Sequence, residues 1–598
     1  RRLAIIDLSP DGHQPMVDAA TGNAIVFNGE IYNYLELRRE LVELGAEFSS
    51  RSDTEVILKS YAFWGEDAIR RLRGMFAIAI WDSRERTVLL ARDRIGIKPL
   101  FLSILPRSGG ASVLLFASEL RSLLATDLIE RRLQRTALDS YMWNGFAVGP
   151  DTLVAGVQIL PPGTMVRVDP RAPRYEPRRY WQFPSESAPE EGAADGVERL
   201  RIELNTAMRQ HLISDVPLGV FLSGGIDSSA IAALAAEQAA GGPGSVKTFN
   251  ISFDEAEFDE SKYASAVATA LGTDHTDVRL TQRHFLGHLD DALAAMDQPT
   301  FDGINTYFVS RAVRDAGIKV ALAGTGGDEL FGGYGSFVDV PRSSRAARMM
   351  RLLPAGLLRA AARFIARWKF GRFGELPPQT RWGKLGDLLC SGGGIVDAYQ
   401  TTYAMFTEDV HAALQGGRHS AMRRGIEAAR SAELAALVAD HSPLHAVSAL
   451  EVANFLGERL LRDTDWAGMA VSLEVRVPLL DHGVIEAASA VESARRFKPL
   501  GKKLLLRDLA LAKVDPAIFD RPKSGFVLPI EEWCRQGLKD EVADVLADRD
   551  LCVAAGLDHV MVAKLWHSFS VGAPGMYWSR IWVVFVLLRW CRTHRVAV

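Results

Sequence analysis

The stretch Phe221-Leu222-Ser223-Gly224-Gly225-Ile226-Asp227-Ser228-Ser229 constrains this chain more than any other. Val216 to Leu222 is apolar and reads as a strand, and Ser228 to Ala240 reads as a helix. Two glycines stand between them. Glycine reaches φ > 0 without steric cost and lets the backbone approach a ligand closely. The helix start then offers unpaired N–H groups and a positive dipole end to phosphate. Asp227 adds a carboxylate beside that phosphate, a seat for Mg2+. The G-x-x-x-x-G-K-[ST] phosphate loop is absent. On local chemistry alone the stretch also reads as a left-handed glycine turn with a serine N-cap.

A second glycine-rich segment, Ala323-Gly324-Thr325-Gly326-Gly327-Asp328 and onward to Tyr334, follows the short apolar strand Lys319 to Ala323. Between the two loops, Val246 to Phe253 reads as a strand. Ser261 to Leu271 reads as a helix stopped by Gly272. This alternation predicts a parallel α/β sheet, which binds ligands outside the carboxyl ends of its strands. Asp227 and Asp328 would then pin one magnesium pyrophosphate between the loops. Residues 335–450 read as helices decorating the sheet. Arg342, Arg345, Arg348 and Arg351 read as a solvated helix face.

Residues 1–120 follow a different pattern. Ala24 to Phe27 reads as a strand ending at the turn-forming pair Asn28-Gly29. Tyr34 to Gly45 has helical periodicity, and Met75 to Trp81 with Val88 to Arg92 reads as a strand pair. The whole is an α+β pattern with mainly antiparallel strands. Residues 184–197 are small, acidic and rich in Pro and Gly, and read as a linker. The expected domains are therefore 1–183 and 198–598.

Bulk composition excludes more than it names. The net charge of −4 gives no argument for nucleic acid or an anionic membrane as partner. The four cysteines, Cys390, Cys534, Cys552 and Cys591, form no C-x-x-C pair, which argues against a structural zinc or redox site. So few thiols fit a reducing cytoplasm. The apolar run Ile581 to Leu588 is far short of the ~18–20 residues of a spanning helix. The chain opens at Arg1 directly into strand-like sequence, so its true start is read as missing.

Further segments follow along the chain: Arg1 to Asp7, Phe27 to Asn33, Ser52 to Glu55, Gly74 to Ala77, Ala91 to Leu100, Phe116 to Glu119, Ser472 to Asp481 and Arg521 to Phe526. With the two loops they resemble class B asparagine synthetases, from the first residue to about Trp590. The resemblance implies an α+β N-terminal-nucleophile glutaminase sandwich. An α/β parallel-sheet ATP-pyrophosphatase domain with helical additions would follow. The S-G-G-x-D-S-S signature is that of enzymes splitting ATP between its α and β phosphates. By the resemblance, Leu222, Ser223, Gly224, Gly225, Asp227, Ser228, Ser229, Ile251, Ala323 and Gly324 would hold ATP. Asp227 and Asp328 would hold Mg2+, and Lys523 and Thr325 would stand at the reacting centre. Arg2, Asn28, Gly29, Glu30 and Asp53 would hold glutamine. Chemically, Arg2 suits its carboxylate, Glu30 and Asp53 its ammonium, and the Asn28 amide with the Gly29 N–H an oxyanion. The implied small-molecule partners are glutamine, ATP and aspartate, with a homodimer left open.

Three departures from the family pattern matter. The cysteine that opens a mature glutaminase is absent. All four cysteines lie beyond residue 389, so none substitutes, and the chain as it stands is expected to use ammonia rather than glutamine. Thr325 stands where many members carry an acid. Asp463 and Trp466 stand where asparagine synthetases usually carry Lys and Arg. The acceptor is thus aspartate, or another carboxylate on a peptide, sugar or secondary metabolite. A catalytically silent relative acting as a binding partner is the third reading.

Overall fold

The computed structural model describes residues 3–106, 112–171, 173–186, 193–240, 245–253, 259–371, 374–417, 422–521 and 528–598. Arg2 and Lys523 lie outside the described residues.

The described strands before residue 184 are β1 (Met16–Val17), β2 (Ala24–Ile31), β3 (Gly74–Asp82), β4 (Thr87–Arg92), β5 (Phe101–Pro106), β6 (Ser112–Ala117), β7 (Gln158–Ile159), β8 (Thr164–Val168) and β9 (Arg178–Arg179). They form two antiparallel sheets, ordered β1-β2-β3-β4-β8-β9 and β6-β5-β7. Successive β3 side chains point to opposite faces. Phe76, Ile78 and Ile80 pack under the helices Tyr34–Glu43 and Asp53–Trp64. Ala77 and Ala79 face Leu100, Leu102 and Val166. Both faces are therefore buried, which makes the N-terminal half a sandwich.

Asn28-Gly29 does not end a strand. β2 runs on to Ile31, pairing Asn28 with Ala77 and Gly29 with Phe76. At Gly29, with φ 147, an added Cβ would lie 2.8 Å from the Phe76 Cα. The glycine is there because β3 passes too close for a side chain.

The second half holds one parallel sheet of β10 (Leu218–Phe221), β11 (Lys247–Phe253), β12 (Asp274–Leu280), β13 (Val320–Leu322) and β14 (Glu474–Arg476), in the order β12-β11-β10-β13-β14. From β10 the chain first builds outward on one side, then returns to build on the other. The crevice at the tips of β10 and β13 is that switch point. The helix Ala193–His211 begins inside the stretch read as linker, whose end is therefore ordered. Leu200, Leu204 and Ala207 recur on one face of that helix and are buried in the core around β10.

The described residues of 335–450 are mainly helical, as expected, and Arg342, Arg345, Arg348 and Arg351 are exposed. No described helix is long and apolar enough to cross a membrane. The halves meet through ion pairs, the buried Lys98 to Asp465 at 2.8 Å and the half-buried Arg73 to the buried Asp481 at 2.7 Å.

Candidate active site

The site begins where β10 ends. The Leu222 N–H donates to the Phe249 carbonyl at 2.7 Å, the last rung before the chain leaves the sheet. Gly224 has φ 70, and an added Cβ there would lie 2.7 Å from the Ala264 nitrogen. Ser228 Oγ accepts the Ser223 N–H at 3.1 Å and lies 3.0 Å from Ser223 Oγ. This hydroxyl bridge folds the loop over the start of the helix Ile226–Ala239, whose first turn carries Asp227. Strand β11 outruns β10: their pairing stops at Phe249, and Ile251 lies beyond the tip of β10.

The second loop leaves β13 at Ala323, whose N–H donates to the Arg476 carbonyl at 2.9 Å. Gly326, with φ 103, turns the chain into the short helix Gly327–Phe331. The loops touch at Asp227. A Cβ at Gly324 would lie 2.6 Å from the Asp227 carbonyl carbon, and one at Gly327 would overlap the Asp227 carboxylate. These glycines serve the close approach of one loop to the other.

Asp227 and Asp328 are brought together by a residue the sequence reading passed over. Lys503 Nζ donates to Asp227 Oδ2 at 2.5 Å and also pairs with Asp328. Lys503 is buried and takes a left-handed φ of 47 at the cap of the helix Leu504–Ala510. Burial alone would lower its pKa, but the two carboxylates outweigh burial and raise it. The Gly501-Lys502-Lys503 sequence before that helix was the available signal. Nothing in spacing tied it to aspartates so far upstream.

Two acids stand behind the loop. Burial, with Asp328 close by, pushes the Glu329 carboxyl up to about 8; it accepts a bond from the Tyr334 hydroxyl at 3.0 Å. Burial pushes Glu451 up to about 7; it accepts from Tyr403 at 2.7 Å, from Tyr399 at 3.1 Å and from Ser336. Thr325 is half-buried between Gly324 and Gly326. Asp463 and Trp466 are buried, with the indole N–H donating to Asp463 Oδ1 at 3.1 Å, and burial pushes Asp463 up to about 7. Arg459 lies 3.8 Å from Asp463, pairs with Asp302, and stacks over Phe301 and Phe455. Phe455 meets Tyr334, so packed side chains connect the Asp328 loop to Asp463.

The residues present fit Mg2+ held together with a phosphate substrate. Two carboxylates share one ammonium, which leaves them net negative, and Mg2+ takes one or two carboxylates plus phosphate oxygens. Among the described residues no group of three or more His, Cys, Asp or Glu is placed to hold a metal ion.

In the N-terminal half, Asn28 and Gly29 lie mid-strand in β2. Asp53 opens the helix Asp53–Trp64 and accepts the Ile31 N–H at 3.1 Å. Glu30 lies next to Gly29 in the same strand. Its buried carboxylate faces Arg476 of the other half at 3.4 Å, drawn by a fully buried cation.

Residues 199–592 match the family described as asparagine synthase, and residues 1–181 match the glutamine amidotransferase domain. The glutamine-hydrolysing asparagine synthetase 1 of Bacillus subtilis (strain 168) is 31% identical over 595 residues, 99% of this chain and 88% of that protein. A putative glutamine-hydrolysing asparagine synthetase of Mycobacterium bovis is 34% identical over 556 residues, 90% of this chain and 80% of that protein. Amidase chyE of Penicillium rubens is 29% identical over 571 residues, 89% of this chain and 81% of that protein. The sandwich, the parallel sheet with its two loops, and these matches agree: the chain belongs to the asparagine synthase family of carbon–nitrogen ligases.

Proposed function

We propose that the chain converts a carboxylate acceptor into an amide at the expense of ATP, with aspartate as the first acceptor to test and asparagine as its product. The observation that carries this reading is Lys503 held between Asp227 and Asp328 where the two glycine-rich loops meet. In this reading an acceptor oxygen attacks the α-phosphorus, the bond to the bridging oxygen breaks, and pyrophosphate leaves. Ammonia then attacks the acyl carbon, and AMP leaves. Leu222 to Ser229, Ala323 and Gly324 cradle the phosphates with main-chain N–H groups, and the edge of β11 near Ile251, which β10 does not pair, faces the adenosine. Lys503 balances charge on the departing pyrophosphate. Mg2+, held by Asp227 and Asp328, supplies further positive charge to the phosphate oxygens when bound. Lys523 is assigned to the charge that develops at the α-phosphate. Asn28, Gly29, Glu30 and Asp53, with Arg2, are assigned to glutamine as nitrogen donor.

A second reading keeps the machinery and changes the acceptor. The Asp463–Trp466 pair favours it, since an acid and an indole replace two cations suited to a dicarboxylic amino acid. A relative named as an amidase is consistent with it. One experiment separates the readings: AMP release with aspartate and with carboxylates borne by peptides, sugars and secondary metabolites, alongside ATP–pyrophosphate exchange. Aspartate is expected to support AMP release that Lys523→Met lowers by orders of magnitude. No AMP with aspartate but AMP with another acceptor would reject asparagine synthesis. No exchange with any acceptor would reject both readings in favour of a catalytically silent relative.

A further inference from the structure

Between Pro341 and Gly374 the sequence has eight arginines, one lysine and no aspartate or glutamate, in a chain whose net charge is −4. Most of the described part of this segment lies in two helices, Ser336–Met350 and Ala355–Phe370. The second helix buries only a narrow stripe, Leu358, Ala362 and Ala366, at i, i+4 and i+8. A separate face carries Leu357, Phe364 and Trp368 at i, i+7 and i+11. Phe364 is 73% exposed and Trp368 84% exposed, and Leu352 before the helix is 87% exposed. A surface helix ordinarily buries its one apolar face. This helix has two, and the one with the larger side chains stands in water. Arg359, Arg363 and Arg367 form a row beside it. Arg359 and Arg363 each lie 3.7 Å from an acid, Glu408 and Asp409, which offsets part of their charge. Arg345, Arg351 and Arg367 have no acidic partner among the described residues.

We propose that this helical pair docks on a lipid bilayer containing anionic headgroups, with Phe364 and Trp368 inserted at the interface and the arginines on lipid phosphates. The chemistry favours this occupant over a second copy of the chain. A symmetric contact would set the same arginines against each other. The apolar row projects and is not a groove, and large aromatic residues flanked by cations are the composition of an interfacial helix. Segregation of charge overrides the slightly negative total, because surface attraction acts within about 10 Å at ordinary ionic strength. The contact would be peripheral, as no described helix is able to span.

The test is sedimentation of the full chain with vesicles of phosphatidylcholine alone or mixed with phosphatidylglycerol. Binding to the anionic vesicles is expected to exceed neutral binding by at least about tenfold and to fall as salt is raised. Phe364→Ser with Trp368→Ser is expected to lose that binding while leaving vesicle-free ATP–pyrophosphate exchange unchanged, since both side chains are exposed. Arg359→Gln, Arg363→Gln and Arg367→Gln together are expected to lower only the anionic binding, a second route if the apolar variant misfolds. No binding to anionic vesicles, equal binding to neutral ones, or full binding by both variants would overturn the proposal. Retention on immobilised poly-glutamate without vesicle binding would assign the face to an acidic protein and overturn it equally.

Discussion

Glu30 in β2 and Arg476 in β14 form an ion pair between the two halves of the chain, with Oε2 and Nη2 3.4 Å apart. Arg476 is fully buried and also donates to Glu474 at 2.8 Å and to the carbonyls of His211 and Ile213 at 2.7 and 2.6 Å. Its own carbonyl accepts the N–H of Ala323, the first residue of the second phosphate loop. One residue thus touches the strand that carries Asn28-Gly29 and the loop that carries Asp328. Arg476→Met leaves two buried carboxylates without their cation. Removing one partner of a buried pair costs about 3–5 kcal/mol. The variant should unfold at clearly lower denaturant than the parent, and an unchanged midpoint would show that the pair is not a structural tie.

Lys503 is the residue on which the phosphate site turns. Lys503→Met removes a counter-charge that Asp227 and Asp328 share. Loss of one preorganised charge at a reacting group typically costs about 10²–10³ in rate. ATP–pyrophosphate exchange should fall by that order, and Asp227→Ala or Asp328→Ala should abolish pyrophosphate release. Wild-type exchange in Lys503→Met would detach this lysine from the chemistry.

Thr325 lies in the same loop without a charge of its own. Thr325→Glu would place a carboxylate near the phosphates, with a hydrogen-bonding reach similar to the acid many family members carry. The AMP-forming rate with aspartate should change at least several-fold. Equal rates in the two proteins would show the position to be neutral in this chain.

Asp297 offers a pH test away from the phosphate site. It accepts the N–H groups of Leu120 and Arg121 at 2.8 and 2.9 Å, capping a helix of the N-terminal half, and burial pushes its carboxyl up to about 7. A raised acid contributes stability that is full below its unfolded pKa of about 3.9 and is lost as pH rises through the folded value. Stability should therefore fall between about pH 4 and 7 on account of this group. In Asp297→Asn the difference in stability between about pH 5.5 and 8 should shrink by about 1–2 kcal/mol. Parallel pH curves for the two proteins would remove Asp297 as a contributor.

The sequence by itself determined the elements whose cause is local. The helix from Ser261 to Leu271 ends at Gly272 as its pattern predicts, because the left-handed stop is a property of that residue. The parallel sheet and its two glycine loops were legible from strand–turn–helix order, and the antiparallel half from short strands and turns. Tertiary structure decided the rest. Asn28-Gly29 carries the chemistry of a turn, yet it lies in mid-strand, because β3 passes where a Gly29 side chain would be. Glu30 was legible as an acid of the pattern, but the buried arginine from the other half that faces its carboxylate was not. Nothing in the Gly501-Lys502-Lys503 stretch tied Lys503 to the distant aspartates, and only the fold sets its ammonium between Asp227 and Asp328. Local propensity and spacing fix what a segment becomes. Which charges end up in one low-dielectric pocket depends on contacts between residues hundreds of positions apart, and no single stretch of chain encodes them.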